Sequence, residues 1–237
     1  MLDPFGARVL RSAKRVATQG LSFMLPQRCA MCASPTDLCG TLCGQCFAAI
    51  PRWASPLCVR CLVNEREPVG CSHHVGWVAH VPWVYEERSG AMIHAIKFGG
   101  RRRLARALAS ELRRVVPLQP RLDTIVTVPL HRLRARQRGY NQVVPLAEGL
   151  ADGLGVPHIE GVLQRVRHTE AQTHLRGHDR RRNLEGAFRV TRPTWLAGRR
   201  VLVLDDVITT GATLAAAMQA VRDAGGRPTG AALAWAQ

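Results

Sequence analysis

The chain reads as an α/β protein, a parallel sheet flanked by helices, with a small cysteine-rich module near its N-terminus. Three observations give that reading. Short apolar runs such as Val201–Leu204 and Thr124–Val128 alternate with amphipathic stretches of helical period, and strands separated by helices build parallel sheets. All eight cysteines fall between Cys29 and Cys71. The 237 residues suffice for one good core and one accessory module. The expected division is an extension over 1–27, a cysteine-rich module over 28–78 and the α/β domain over 79–237.

Residues 5–25 form a basic amphipathic stretch ending in Leu21, Phe23, Met24 and Leu25. It is expected to dock as a helix on the protein's own core, with membrane-surface binding as the alternative. Arg8, Arg11, Lys14 and Arg15 interrupt any signal-peptide core, and there is no apolar run of about 18 residues. A cytoplasmic protein is expected.

The cysteines follow as Cys29-x2-Cys32, Cys43-x2-Cys46, Cys58-x2-Cys61 and Cys71-x2-His74. Two-residue spacing lets both donors of a knuckle reach one ion, so these eight residues are the candidate metal ligands. In a cytosolic chain disulfides are not expected. Sequential pairing gives one site of four cysteines and a second of three cysteines and a histidine; interleaved pairing, or a single occupied site, is also open. Cys39 is left over, and His73 competes with His74. With four protein ligands and no open position, the zinc would be structural.

Beyond this module, residues 81–87 are expected as a strand and Ala91–Phe98 as a short helix, broken by Gly99-Gly100. Leu104–Val116 places Leu104, Leu108 and Leu112 on one helical face, and Pro117 and Pro120 end it. Thr124–Val128 is a strand, 130–139 a basic loop and Asn141–Gly153 a helix. Residues 164–186 are Arg-rich without periodicity; a loop that long is usually functional. Val201–Leu204 is a buried strand, Leu214–Ala224 a helix and 229–236 the last strand.

The richest stretch is 201–214. Its strand ends in Asp205 and Asp206, and Thr209-Thr210-Gly211-Ala212-Thr213 opens the next helix. Backbone N–H groups at a helix N-terminus cradle phosphate. Acids beside that cradle would repel the anion unless they serve sugar hydroxyls or a bridging Mg²⁺. A phosphorylated sugar is the ligand so implied. Simple N-capping by Thr209 or Thr210 is the plainer alternative, but it gives no reason for two acids at the strand's carboxyl end.

The formal net charge is +16, and all basic residues but Lys14 and Lys97 are arginine. Arginines cluster at 101–106, at 132–138 and at 165–182. Most are read as a solvated basic face; a polyanion, pyrophosphate or nucleic acid, is the partner such clusters would favour.

Residues 201–214 resemble the loop of type I phosphoribosyltransferases that binds 5-phosphoribosyl-1-pyrophosphate (PRPP). IVTVPLHRLRARQRGYNQ, residues 125–142, resembles the VPVPL…R…RGFNQ signature of ComF-type proteins, which are linked to natural competence. Residues 163–188 resemble the hood loop of that family and of amidophosphoribosyltransferases, and the knuckles resemble the ComF N-terminal module. Thr127, Tyr140 and His74 stand where Pro, Phe and Cys are usual.

The resemblance implies a type I phosphoribosyltransferase fold and a Mg²⁺-dependent, PRPP-binding site. Asp205 and Asp206 would take the ribose and act in catalysis, and Thr209, Thr210, Gly211, Ala212 and Thr213 would take the 5′-phosphate. Arg132, Arg134 and Arg138, with Arg165, Arg167 and Gln172 from the hood, would neutralise and cover pyrophosphate. Lys97 either contacts pyrophosphate or snorkels at the surface. Met1-Leu2 offers no nucleophilic N-terminal cysteine, so a glutaminase half is not expected. The resemblance leaves three functions open. One is phosphoribosyl transfer to an unidentified acceptor. The second is a DNA-uptake factor binding single-stranded DNA or a helicase partner, with PRPP as ligand or regulator. The third is a PRPP sensor without chemistry.

Overall fold

The computed structural model describes residues 28–36, 41–53, 56–62, 71, 74–118, 120–130, 139–166, 184 and 186–236. The 5–25 stretch, Cys39, His73, Arg132, Arg134, Arg138, Arg167 and Gln172 lie outside the described residues, as do the arginines at 176–182. Contacts divide the chain into Met1–Ala49 and Ile50–Gln237. The third and fourth knuckle pairs therefore belong to the larger unit.

In the first unit the chain doubles back through an antiparallel bridge between Arg28 and Pro35. Cys29 N–H donates to Ser34 O at 2.8 Å, and Ala33 takes a left-handed φ of 57°. A short helix, α1 (Gly44–Ala48), follows Cys43.

The larger unit holds a five-stranded sheet in the order β1 (Leu57–Cys58), β2 (Val78–His80), β9 (Arg227–Ala231), β7 (Arg200–Leu204), β4 (Thr124–Thr127). Only β1 runs antiparallel. Val201–Leu204 is buried throughout, as a central strand covered on both faces requires. A smaller sheet, all parallel, orders β3 (Trp83–Val84), β10 (Ala234–Trp235), β8 (Val207–Ile208). An antiparallel pair, β5 (Leu163–Arg165) and β6 (Phe188–Val190), ties together the two ends of the Arg-rich stretch.

The unit also contains the α-helices α2 (Glu87–Phe98), α3 (Arg102–Val115), α4 (Val143–Leu154) and α5 (Ala212–Asp223). α2 begins four residues before the expected Ala91, because Glu86 caps it. Its carboxylate accepts Arg88 and Ser89 N–H at 2.9 and 3.2 Å, and Ser89 Oγ accepts Glu86 N–H at 2.8 Å. α3 and α4 approach so closely that a Cβ on Gly149 would lie 2.5 Å from Arg106 O. Glu111, buried on α3, is neutralised by Arg52 and by Arg114 at 2.6 Å. Among the described residues no helix is long and apolar enough to cross a membrane.

Two expected strands are corrected. Residues 81–87 are not one strand: β2 ends at His80, β3 is Trp83–Val84, and Glu87 already belongs to α2. Residues 229–236 are likewise split into β9 and β10. In both, the chain leaves the large sheet and enters the small one within two residues. β7 and β8 make the same step, at Asp205 and Asp206.

Candidate functional site

The acid pair occupies one of three adjacent steps between the sheets. Its backbone is fixed there: Asp205 N–H donates to Ala231 O at 3.0 Å, and Asp206 O accepts Leu233 N–H at 3.1 Å. Ala232 N–H donates to His80 O at 3.1 Å, joining the third step to the other two. Parallel strands place all three steps at the carboxyl ends of β2, β7 and β9. Open α/β sheets present ligand sites at those ends.

The two acids differ. Asp205 is half-buried, and its Oδ1 accepts the N–H of Asp206 at 2.8 Å. Asp206 is 8% exposed. Lys97 Nζ lies 3.1 Å from its Oδ1, and Gln142 Nε2 donates to its Oδ2. Lys97 is thus placed on Asp206 from the last turn of α2.

Gln142 was missed as a site residue, although its motif was legible in the sequence. The RGYNQ segment distributes its side chains among three elements. Tyr140 Oη donates to Ile96 O on α2, Asn141 Nδ2 donates to Val128 O after β4 at 3.0 Å, and Gln142 reaches Asp206. Gln142 Oε1 is buried without a hydrogen-bond partner among the described residues.

After β8 the chain turns through Thr209 and Thr210 into α5. Thr209 is exposed, Thr210 and Thr213 are half-buried, and Gly211 and Ala212 are buried. Gly211 is the N-cap at φ 71°, and no side chain caps the helix. The capping role that Thr209 or Thr210 was weighed for is therefore not filled by either. The first N–H groups of this twelve-residue helix take no side-chain cap, and a helix N-terminus of that kind suits an anion. Carboxylates together with a ligand's phosphate oxygens suit a hard cation such as Mg²⁺.

The cysteines gather into two sets, Cys29, Cys32, Cys43, Cys46 and Cys58, Cys61, Cys71, His74. Within each, all ligand atoms lie within 4.8 Å of one another. Either set can hold a tetrahedral metal ion, and thiolate and imidazole donors suit zinc. In the first, burial raises the Cys29 thiol, but backbone donors from Cys43, Cys32 and Met31 outweigh it and hold it near about 6. Cys46 is pushed up to about 12 by burial and by the other three thiols. In the second, Cys71 Sγ and His74 Nδ1 stand 3.5 Å apart.

Of the basic cluster at 101–106, Arg102 stacks over Tyr140 at 4.8 Å and Arg106 pairs with Glu148 and Asp152. Arg102, Arg103, Arg106 and Tyr140 line a cavity of about 500 Å³ that Glu148 and Glu160 also border.

The phosphoribosyl transferase domain family matches residues 95–237, more than half of the chain. A competence protein F from Haemophilus influenzae is 30% identical, over 78% of this chain and 74% of its own length. The chain belongs to the ComF branch of the phosphoribosyl transferase domain family. A DNA utilization protein YhgH from Salmonella typhi is 34% identical to this ComF-type chain, over 79% of it and 80% of the relative. The adenine phosphoribosyltransferase of Leishmania donovani overlays with a TM-score of 0.39 at 16% identity, covering 83% of this chain and 66% of the enzyme. That overlap is too loose to carry weight. The family match includes Lys97, Gln142 and Asp205–Thr213, and both cysteine sets precede it.

Proposed function

We propose that this ComF-type chain binds PRPP with Mg²⁺ at the sheet-to-sheet step and acts as a phosphoribosyltransferase-like protein in the cytoplasm. One observation carries the reading: a backbone-fixed pair of acids at the carboxyl end of β7 leads, through β8, into a helix whose N-terminus no side chain caps. Asp205 and Asp206 take the ribose hydroxyls, and the amides and hydroxyls of Thr209–Thr213 take the 5′-phosphate. Phosphoribosyl transfer breaks the bond from C1 to pyrophosphate through an oxocarbenium-like state. Catalysis there is positioning and charge stabilisation. Lys97 and Gln142 hold Asp206 in one orientation, so the acid is in place before the ligand arrives. Mg²⁺, when bound, supplies neutralisation of the leaving group. Arg132, Arg138, Arg167 and Gln172 are assigned to pyrophosphate on the family resemblance. One or two structural zinc ions complete the protein.

The test is pyrophosphate release from PRPP and Mg²⁺ across bases, amines and ammonia. Release that collapses in Asp205→Asn and Asp206→Asn supports transfer. Binding without turnover for every acceptor supports a sensor instead.

The relatives' names favour a second reading, a DNA-uptake factor that binds single-stranded DNA or a helicase partner and uses PRPP as a regulator. Exposed Arg103 would face backbone phosphates, while the pairing of Arg106 leaves less of that cluster available. Single-stranded DNA affinity unchanged by charge reversal at 101–103 and 180–182 would sink it.

A further inference from the structure

The second cysteine set grips both ends of α5. At the N-terminal end, Gly211 backs directly onto the knuckle between Cys58 and Cys61. A Cβ there would lie 2.1 Å from Val59 O, 3.0 Å from its carbonyl carbon and 3.1 Å from Leu62 Cδ2. No other residue fits, because the φ of 71° is left-handed as well. At the C-terminal end, Arg222 stacks on one side of a contact shared with the same knuckle. Its guanidinium and that of Arg60 each lie 4.0 Å from the Trp77 ring centroid. Arg222 also donates to Gly76 O.

The knuckle is held as a unit. Leu62 N–H donates to Cys58 O at 2.8 Å, Val59 N–H to Trp77 O at 2.9 Å, and Trp77 N–H to His74 O at 3.1 Å. These bonds link the turn that follows Cys58 and carries Cys61 to the segment His74–Trp77. The four ligand atoms lie within 4.8 Å of one another, and an ion that all four ligate fixes them at that spacing. The ion that fixes Cys58, Cys61, Cys71 and His74 therefore fixes the surface on which Gly211 and Arg222 rest.

We propose that the Cys58, Cys61, Cys71, His74 set is a clamp on α5: metal in this set and a phosphoribosyl ligand on the Thr209–Thr213 loop bind with positive linkage. The ligand half rests on the function proposed above. Linkage is reciprocal, so the ligand must also slow metal loss.

The experiment uses the full zinc-loaded chain. Amide exchange across 208–214 is followed in ligand-free protein as zinc is withdrawn by a chelator and restored, with β4 and β7 as internal reference. Exchange of the loop is expected to rise at least tenfold on removal and to reverse on restoration, with the reference strands unchanged. Loop exchange that stays constant, or rises equally in β4 and β7, overturns the clamp. This arm needs no ligand, so it survives failure of the PRPP reading. In the second arm, ribose 5-phosphate with Mg²⁺ is expected to slow zinc release to the chelator at least threefold. The slowing is expected to disappear in Gly211→Ala and to persist in Cys32→Ser. Ribose 5-phosphate and PRPP that both fail to bind the zinc-loaded protein count against the proposed function alone. Binding without slowing overturns the linkage.

Discussion

Replacing Lys97 by Met removes the cation beside a carboxylate that is 8% exposed. At 3.1 Å and an effective dielectric of about 20, the gross attraction is about 5 kcal/mol. Most of that is offset by the desolvation of both groups. The pair is not sealed from water, with side-chain exposures of 22% and 12%, so the net is smaller than for a fully buried pair. The expected loss at neutral pH is about 1–3 kcal/mol, because Asp206 keeps only the Gln142 donor. Asp206→Asn removes the charge Lys97 serves, so Lys97→Met in that background is expected to be nearly neutral. Urea unfolding of the four proteins gives the coupling directly. A coupling of about 1–3 kcal/mol is expected. A value within about 0.3 kcal/mol of zero would show that Lys97 does not hold the acid, and the argument for a prearranged Asp206 would fall.

Three further outcomes follow from other parts of the molecule. Gly149→Ala forces a methyl against Arg106 O between α3 and α4, and is expected to lower stability by about 1–3 kcal/mol; an unchanged urea midpoint would refute that packing. His80 is held down to about 4 by burial, against 6.5 when unfolded. Its contribution is therefore complete above about pH 6.5 and lost as pH falls toward 4. The total is at most about 3 kcal/mol, and His80→Gln is expected to flatten that part of the stability profile. At pH 7 the Cys29 thiol near about 6 is mostly thiolate, while Cys46 near about 12 keeps its proton. Zinc entry into the first set is thus expected to release at least one proton and to tighten about tenfold per pH unit from 6 to 8. Chelator competition that is flat over that range would contradict it.

What the sequence made legible, and what it hid, follows from the range of each signal. The knuckles and the strand–acid–loop order are local patterns, and the structure brings their described residues together. The step between sheets was hidden because Val81–Trp83 and Gly230–Trp235 are buried through the step itself, so periodicity carries no mark of the change of sheet. The cap of α2 was missed because Ser89 stands where a capping box usually has Glu or Gln. The partnership of Gln142 with Asp206 spans 64 positions, beyond any local pattern, although RGYNQ marked the segment. The left-handed Gly211 was legible as a loop glycine. That it backs onto Val59 needed the fold.

Binding of PRPP by the acid pair and the α5 loop is tested by calorimetric titration of PRPP with Mg²⁺ into zinc-loaded protein, wild type against Asp206→Asn. A saturable site is expected in the wild type, weakened at least tenfold in the variant while the fold is retained. No heat in the wild type, or equal affinity in both proteins, would contradict it.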